Sequence, residues 1–417
     1  MRISGHATMT TEQPRVDVLD PEFYRDPNAA IAWLHKQAPV YWFDARPQYP
    51  RPMWIISRWE DCRAILSDPA TFCSSRGKTL DFVTVSGSGT DSATMQRDER
   101  IEIASRMPGL IDPPDHTRHR LLVRDHFRPR RMHDLEEPVR QIVNDSLDLV
   151  DGQVADFVTA VGDRIPLYLT IDLMGLDRAM ADDFVRWSNA IFASFEPDKE
   201  TDTQTLLEML DFFEEEVEDR RSNPRDDLIT DLVQAEHEGD RFSMDEILMW
   251  CWVLLTSGQE TTANLLSGGT LVLFQNPASR NRLADDPSLM SRAVAEMLRW
   301  VTPTRYGMRT ATRSVDLGGQ TIQEDDLVFL SYTSANRDPS AFADPFVFDV
   351  AREDTREHLS FAFGPHYCLG APLARLEGQI LFEEMLRRFP QYEVVDEPVW
   401  KVSTHSNRLE SLMVHFA

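Results

Sequence analysis

Cysteine is scarce in this chain, with four in 417 residues. Cys62, Cys73, Cys251 and Cys368 form no C-x-x-C pair and no zinc-type spacing, which excludes a zinc module and an Fe–S cluster set. Long apolar runs are missing too. The most apolar stretch, near Ile247–Leu255, is interrupted by Trp250, Cys251 and Trp252 and leads into polar Thr256–Thr262, so it reads as a buried helix rather than a membrane span. The N-terminus is polar and lacks the apolar core of a signal peptide. Together these absences point to a reducing, cytoplasmic setting without disulfides or membrane. Residues 1–19 are expected to be disordered, with Met1 and Met9 both candidate starts.

Positive charge is also in deficit. Against 69 acidic residues stand 43 Lys and Arg, a net charge of -26. Such a field repels a polyanion, so nucleic acid is excluded as a general partner. No internal repeat is visible. The one Gly/Ser stretch, Ser86–Thr90, is a short loop, which leaves 20–417 as one large domain. There is no flavin or nicotinamide fingerprint either, so an electron-transfer reaction would need a separate reductase.

What is present is helical patterning. Helices are predicted over 27–37, 59–67, 117–127, 137–150, 161–173, 179–194, 203–221, 287–300 and 375–388. Short strands are predicted at 40–43, 53–57, 308–312, 327–332, 392–395 and 412–415. Ser243-Met-Asp-Glu246 has the form of a capping box, opening one long helix to about Gln275. The stretch 72–111 is polar and irregular, as functional or mobile segments are. The fold class is mainly α with small β-sheets.

The densest signal is Phe361-Ala-Phe-Gly364-Pro-His366-Tyr-Cys368-Leu-Gly370, followed at once by a helix. A thiolate that ligates a metal must be held on a rigid turn, receive N–H hydrogen bonds and be shielded from water. Gly364 and Gly370 offer unusual backbone angles and close approach. The helix opening near Ala371 turns its positive end toward the sulfur and is expected to depress the thiol pKa. Phe361 is placed to cover the sulfur. The other three cysteines read as small buried hydrophobes.

With these residues, from about Asp20 to the C-terminus, the chain resembles the cytochrome P450 superfamily, in its soluble bacterial, ferredoxin-dependent class. The resemblance implies a P450 fold. Haem b would lie between the long central helix and the cysteine loop, with Cys368 as axial ligand of the iron. It implies that Ser257-Gly258-Gln259-Glu260-Thr261-Thr262 passes over the haem. Thr261 would hydrogen-bond the bound oxygen and Glu260 would gate proton supply. Ser257, where the family often has Ala, and polar Gln259 depart from the common pattern. By the same resemblance His116, Arg120, Arg309 and His366 take the haem propionates. Glu296-Met-Leu-Arg299 is a buried structural pair completed by Arg352 or His358.

Between His116 and Met132 lie Arg118, Arg120, Arg124, Arg128, Arg130 and Arg131 against one acid, Asp125. This basic island, on the cysteine side in the family, is expected to dock a ferredoxin near Arg124, Arg128, Arg130 and Arg131, with a ferredoxin reductase behind it. The substrate pocket is expected from 78–110, 191–206, 248–259 and 304–308. Phe192, Phe195, Trp250 and Met308 are candidate walls, Arg305 a polar contact, and the hinge 196–202 a lid. The expected activity is insertion of one oxygen atom from O2 into a small apolar molecule of terpenoid, steroid, fatty acid or polyketide type, by a monomer. A peroxide-driven or nitric-oxide-reducing relative, and a haem sensor or ligand carrier, are the competing readings.

Overall fold

The computed structural model describes residues 14–46, 49, 51–77, 80, 107–127, 129–193 and 202–417. Most of the stretch 78–111, the greater part of the proposed lid hinge, Phe195 and Arg128 lie outside the described residues. Of the N-terminal segment expected to be disordered, 1–13 also lies outside. Val16 and Val18 are already buried, packed with Leu34, Tyr306 and Phe329, so ordered packing begins before residue 20.

Helices build most of the molecule, and one of them organises the rest. In Glu260–Gln275 every residue from Thr262 to Leu273 is buried, so this helix is enclosed on all sides. Two glycines set how closely its neighbours approach. A Cβ on Gly268 would stand 2.8 Å from a Val301 methyl, and one on Gly269 would stand 2.6 Å from the Phe382 ring. Val301 ends the helix Met290–Val301, whose inner face repeats Ala293, Val294, Met297 and Leu298 at helical spacing. Phe382 belongs to the helix Ala371–Arg388, which begins just after the cysteine loop. Small residues on the central helix thus fix the cysteine loop relative to it.

The capping box at Ser243 is present. Ser243 Oγ accepts the Glu246 N–H at 3.3 Å, and Glu246 Oε2 accepts the Ser243 N–H at 2.8 Å. The single helix expected from there to Gln275 is instead two, Met244–Ser257 and Glu260–Gln275. The interruption falls at Gly258-Gln259. On either side of it Thr256 Oγ1 bonds back to the Trp252 carbonyl (3.0 Å) and Thr261 Oγ1 to the Ser257 carbonyl (3.1 Å), a habit of Ser and Thr that bends helices.

The main sheet has five strands, ordered in space Val40–Phe43, Met53–Ile56, Leu327–Ser331, Tyr306–Ala311 and Phe72–Cys73. The Met53–Ile56 and Leu327–Ser331 strands run parallel and the other neighbours antiparallel. Tyr306–Ala311 is buried along its whole length. A hairpin of Val399–Trp400 and Leu409–Ser411 projects its turn toward the break in the central helix.

Glu296 and Arg299 are fully buried. Arg299 meets the carboxylate with both Nε and Nη2 at 2.7 Å. Arg352 completes the group, Nε to Glu296 Oε1 at 3.2 Å. His358 does not join it: its Nδ1 accepts the Ser360 N–H, and burial lowers its pKa to about 3, followed by the charges of Arg375 and Arg299. Arg299 also donates to the carbonyls of Asn336, Pro345 and Val347. The charge is therefore satisfied by a cage, as a buried ion pair requires.

Candidate active site

One cavity of about 770 Å³ joins the cysteine loop to the break in the central helix. Its floor carries Phe361, Ala362, His366, Cys368 and Gly370. Its opposite wall carries Thr256, Ser257, Gly258, Glu260, Thr261 and Thr262.

The cysteine loop is a folded-back turn. The Cys368 N–H donates to the Phe361 carbonyl at 3.0 Å and the Tyr367 N–H to the Gly364 carbonyl at 3.0 Å. Gly364 has φ +69, and a Cβ there would stand 2.4 Å from the Leu66 carbonyl oxygen, so glycine is required. Gly370 differs from expectation. Its φ is an ordinary -80, and nothing lies within 4 Å of a Cβ built on it; its bare face lines the cavity. The Phe361 ring packs against His358 and Tyr367 and beneath the Arg375 guanidinium, 4.7 Å away.

The Cys368 side chain is open to the cavity. Loss of bulk water around it raises the thiol pKa. The Gly370 N–H, the charges of Arg120 and Arg375, and the Ala371 N–H all pull the other way. The net direction is upward, which corrects the expected depression: the helix end acts with the expected sign but is outweighed by desolvation. Cys62, Cys73 and Cys251 are buried thiols, and burial drives Cys251 up to about 12.

Four cationic or imidazole groups converge near the loop. His116 and Arg120 share the helix Asp115–Val123. The His116 ring lies 3.9 Å from that of His366, and His366 Nε2 meets Ser74 Oγ at 3.3 Å. Burial lowers the His116 pKa to about 4, with Arg120 and His119 adding to the effect, and its Nδ1 has no partner. Arg309 is 6% exposed and, among the described residues, donates only to the Met308 carbonyl, at 2.7 Å. Among the described residues neither Arg120 nor Arg309 has a carboxylate partner, and burial lowers both pKa values. Buried guanidinium groups without an anion are costly, so this corner fits a bound dianion such as the two propionates of haem. The bare Gly370 face beside an open sulfur fits a flat group.

On the opposite wall, Glu260 Oε1 accepts the Ser406 hydroxyl at 2.7 Å. The Asp163 carboxyl, held by Arg408 at 2.9 Å, stands near the same acid. Burial raises its pKa, Arg408 lowers it, and the Glu260 charge raises it again.

The substrate end departs from expectation in several places. Met107, Gly109, Phe192, Thr304, Tyr306 and Gly307 line the cavity. Trp250 and Met308 do not; both are core, 4% and 0% exposed. Arg305 is occupied elsewhere: it donates to the Ser403 carbonyl and to Asn407 Oδ1 (3.0 Å) and lies 4.3 Å over the Tyr24 ring. Two elements had escaped the sequence reading. The turn Lys401–Ser406 lines the cavity, as do Leu19, Pro21 and Tyr49. Glu377 also lines it, fully enclosed, with Oε2 unpartnered and its pKa raised to about 8 by burial. Its helical spacing with Leu373 and Ala374, after the cysteine loop, places it on the cavity-facing side of the helix Ala371–Arg388.

In the basic island, Arg118 is tied to Asp240 and Glu246 and Arg131 to Asp226 (3.1 Å). Arg124 is exposed. Arg128 and the Arg130 side chain lie outside the described residues.

A helix-rich fold in which a cysteine turn faces an interrupted central helix across one cavity defines a haem-thiolate oxygenase. The "Cytochrome P450" family model matches residues 140–401, and the chain belongs to the cytochrome P450 family. It is 34% identical to the polyketide biosynthesis cytochrome P450 PksS of Bacillus subtilis, over 94% of this chain and 96% of that protein. It is also 34% identical to 6-deoxyerythronolide B hydroxylase of Saccharopolyspora erythraea, over 87% and 89%. The solved PksS structure superimposes with a TM-score of 0.86 at 32% identity, covering 97% of this chain and 100% of that one. P450BioI, solved in complex with an acyl carrier protein bearing hexadec-9Z-enoic acid, gives 0.84 at 26% identity, covering 95% and 99%. The protein is a P450 monooxygenase with haem b as cofactor. No helix among the described residues is long and apolar enough to cross a membrane.

Proposed function

We propose that Cys368 is the thiolate ligand of the haem iron, and that Thr261 and Glu260 serve oxygen activation from the opposite wall of the cavity. The observation that carries this is the shared cavity: the only cysteine open to it faces the acid–alcohol pair at the helix break. Haem supplies the redox and oxygen chemistry when bound. With iron bound, Cys368 would hold it as the thiolate, against the upward shift that burial gives the free thiol. Arg120, Arg309, His116 and His366 hold the propionates, an assignment supported by the lack, among the described residues, of a carboxylate in ion-pair contact with either guanidinium.

The Thr261 hydroxyl is anchored to the Ser257 carbonyl at 3.1 Å and lies on the cavity wall. Its one proton is donated to that carbonyl, so its lone pairs are left for the pocket side, and releasing the backbone bond frees the proton, with Glu260 next to it in the chain as the source. The test is Thr261→Ala. NAD(P)H oxidation should continue while product falls about a hundredfold and hydrogen peroxide accumulates, the lower end of the usual contribution of a positioned proton donor. Unchanged coupling would remove Thr261 from the reaction.

The substrate we propose is an apolar molecule bearing several oxygens, of polyketide or fatty acyl kind. Two features support this: relatives named for polyketide biosynthesis and for an acyl-carrier complex, and a far wall rich in hydroxyls, with Thr304, Ser403, Thr404 and Tyr49. Electrons come from NAD(P)H through a separate ferredoxin and its reductase. The ferredoxin docks on the basic face around Arg124, Arg128, Arg130 and Arg131, a reading supported by the charge reversal there in a chain of net charge -26.

A further inference from the structure

One side chain joins the pocket turn Lys401–Ser406 to the acid of the central helix. Ser406 donates its hydroxyl proton to Glu260 Oε1 at 2.7 Å and accepts Asn264 Nδ2 at 2.8 Å. A serine hydroxyl has one proton, and here it is committed to the acid. Asn264, one helical turn beyond Glu260, is 2% exposed, and its Oδ1 has no partner. The Ser406 backbone is fixed independently. Its N–H donates to Ser403 Oγ at 2.9 Å, and it forms a β-bridge with Thr304. Glu260 is therefore held across the helix break, by a turn that itself walls the cavity.

We infer that Ser406 is a positioning residue for Glu260. The inference rests on the reading of Glu260 as a proton source. A glutamate beside a helix break has several rotamers open to it, and a charge-assisted hydrogen bond of this length selects one. Glu260 is the first residue of its helix segment, where that selection decides whether the carboxylate faces the turn or the Thr261 side. Asn264 orients the serine, because with its lone pair occupied the hydroxyl proton is left to point at the acid.

The test uses the haem-loaded enzyme with a ferredoxin and reductase, and two readouts. One is the infrared carboxylate band of Glu260, assigned by its loss in Glu260→Gln. The other is the rate of NAD(P)H oxidation with hexadec-9-enoic acid as the added ligand. Ser406→Ala is expected to shift the band and to slow oxidation about ten- to a hundredfold, the scale of one hydrogen bond to a charged group. Ser406→Thr, which keeps the hydroxyl, should restore both. Asn264→Ala should act in the same direction, and it decides the matter if Ser406→Ala does not fold. An unmoved band in Ser406→Ala and Asn264→Ala, with Glu260→Gln slow, overturns the role of Ser406 alone. An unchanged rate in Glu260→Gln overturns the proton-source reading of Glu260 instead, while the band still reports whether Ser406 holds the acid.

Discussion

Glu377 shows what a single enclosed carboxyl does to a protein of this kind. It lies inside the molecule on the helix that follows the cysteine loop, with one oxygen unpartnered, and burial raises its pKa from 4.5 to about 8. The folded state thus binds this proton more tightly than the unfolded state. The associated stability is complete below the unfolded value of about 4.5 and is lost as pH rises toward 8. Glu377→Gln removes the titration and keeps the shape. Relative to the variant, wild type should lose on the order of 3 kcal/mol between pH 5 and pH 8, at about 1.4 kcal/mol per unit. Urea midpoints of both proteins at the two pH values measure it, and parallel pH dependence would show that the carboxyl is solvated. Residues of this kind are hard to find in sequence, because a helical Glu reads as surface until the packing around it is known. The turn that carries Cys368 was legible for the opposite reason: Gly364, with its positive φ, and the return of the Cys368 N–H to the Phe361 carbonyl fix the backbone whatever lies beyond the loop.

At the level of elements, the cap and the break of the helix pair were unequally visible. Ser243 and Glu246 are local, and their reciprocal bonds were read directly from the spacing. Ser243→Ala should cost about 1 kcal/mol, read as a lower urea midpoint with the haem spectrum unchanged. The cost stays near that figure because Glu246 keeps its contacts with Arg118 and His119. The break at Gly258-Gln259 had only a Gly and flanking alcohols to announce it, and those fit a continuous helix equally well. Threonine back-bonding and the enclosed packing decided between the two. The hairpin turn Lys401–Ser406 was missed because its strands are two and three residues long, too short to show alternation. Arg305 was assigned to the pocket from position alone. In fact carbonyl and aromatic partners distant in sequence draw it away from the cavity.

Charge is organised over the whole molecule rather than residue by residue. The chain carries -26, yet the helix Asp115–Val123 and the turn after it gather arginines on the side where Arg120 senses the Cys368 sulfur. Arg118, outside the docking set read from sequence, holds this helix to Asp240 and Glu246, and of that set Arg131 is paired with Asp226. Arg124 is exposed, next to the helix that carries Arg120. An acidic ferredoxin approaching elsewhere meets a repulsive field, and approaching here meets the reverse, which favours one orientation and raises the encounter rate. The rate of first-electron transfer should therefore fall as salt rises past the range where the screening length shrinks to about 10 Å. Arg124→Glu should lower that rate severalfold at low salt and flatten its salt dependence, while substrate binding and the haem spectrum stay as in wild type. Stopped-flow reduction across a salt series measures this. A slope identical in the variant and wild type would move the electron donor away from Arg124.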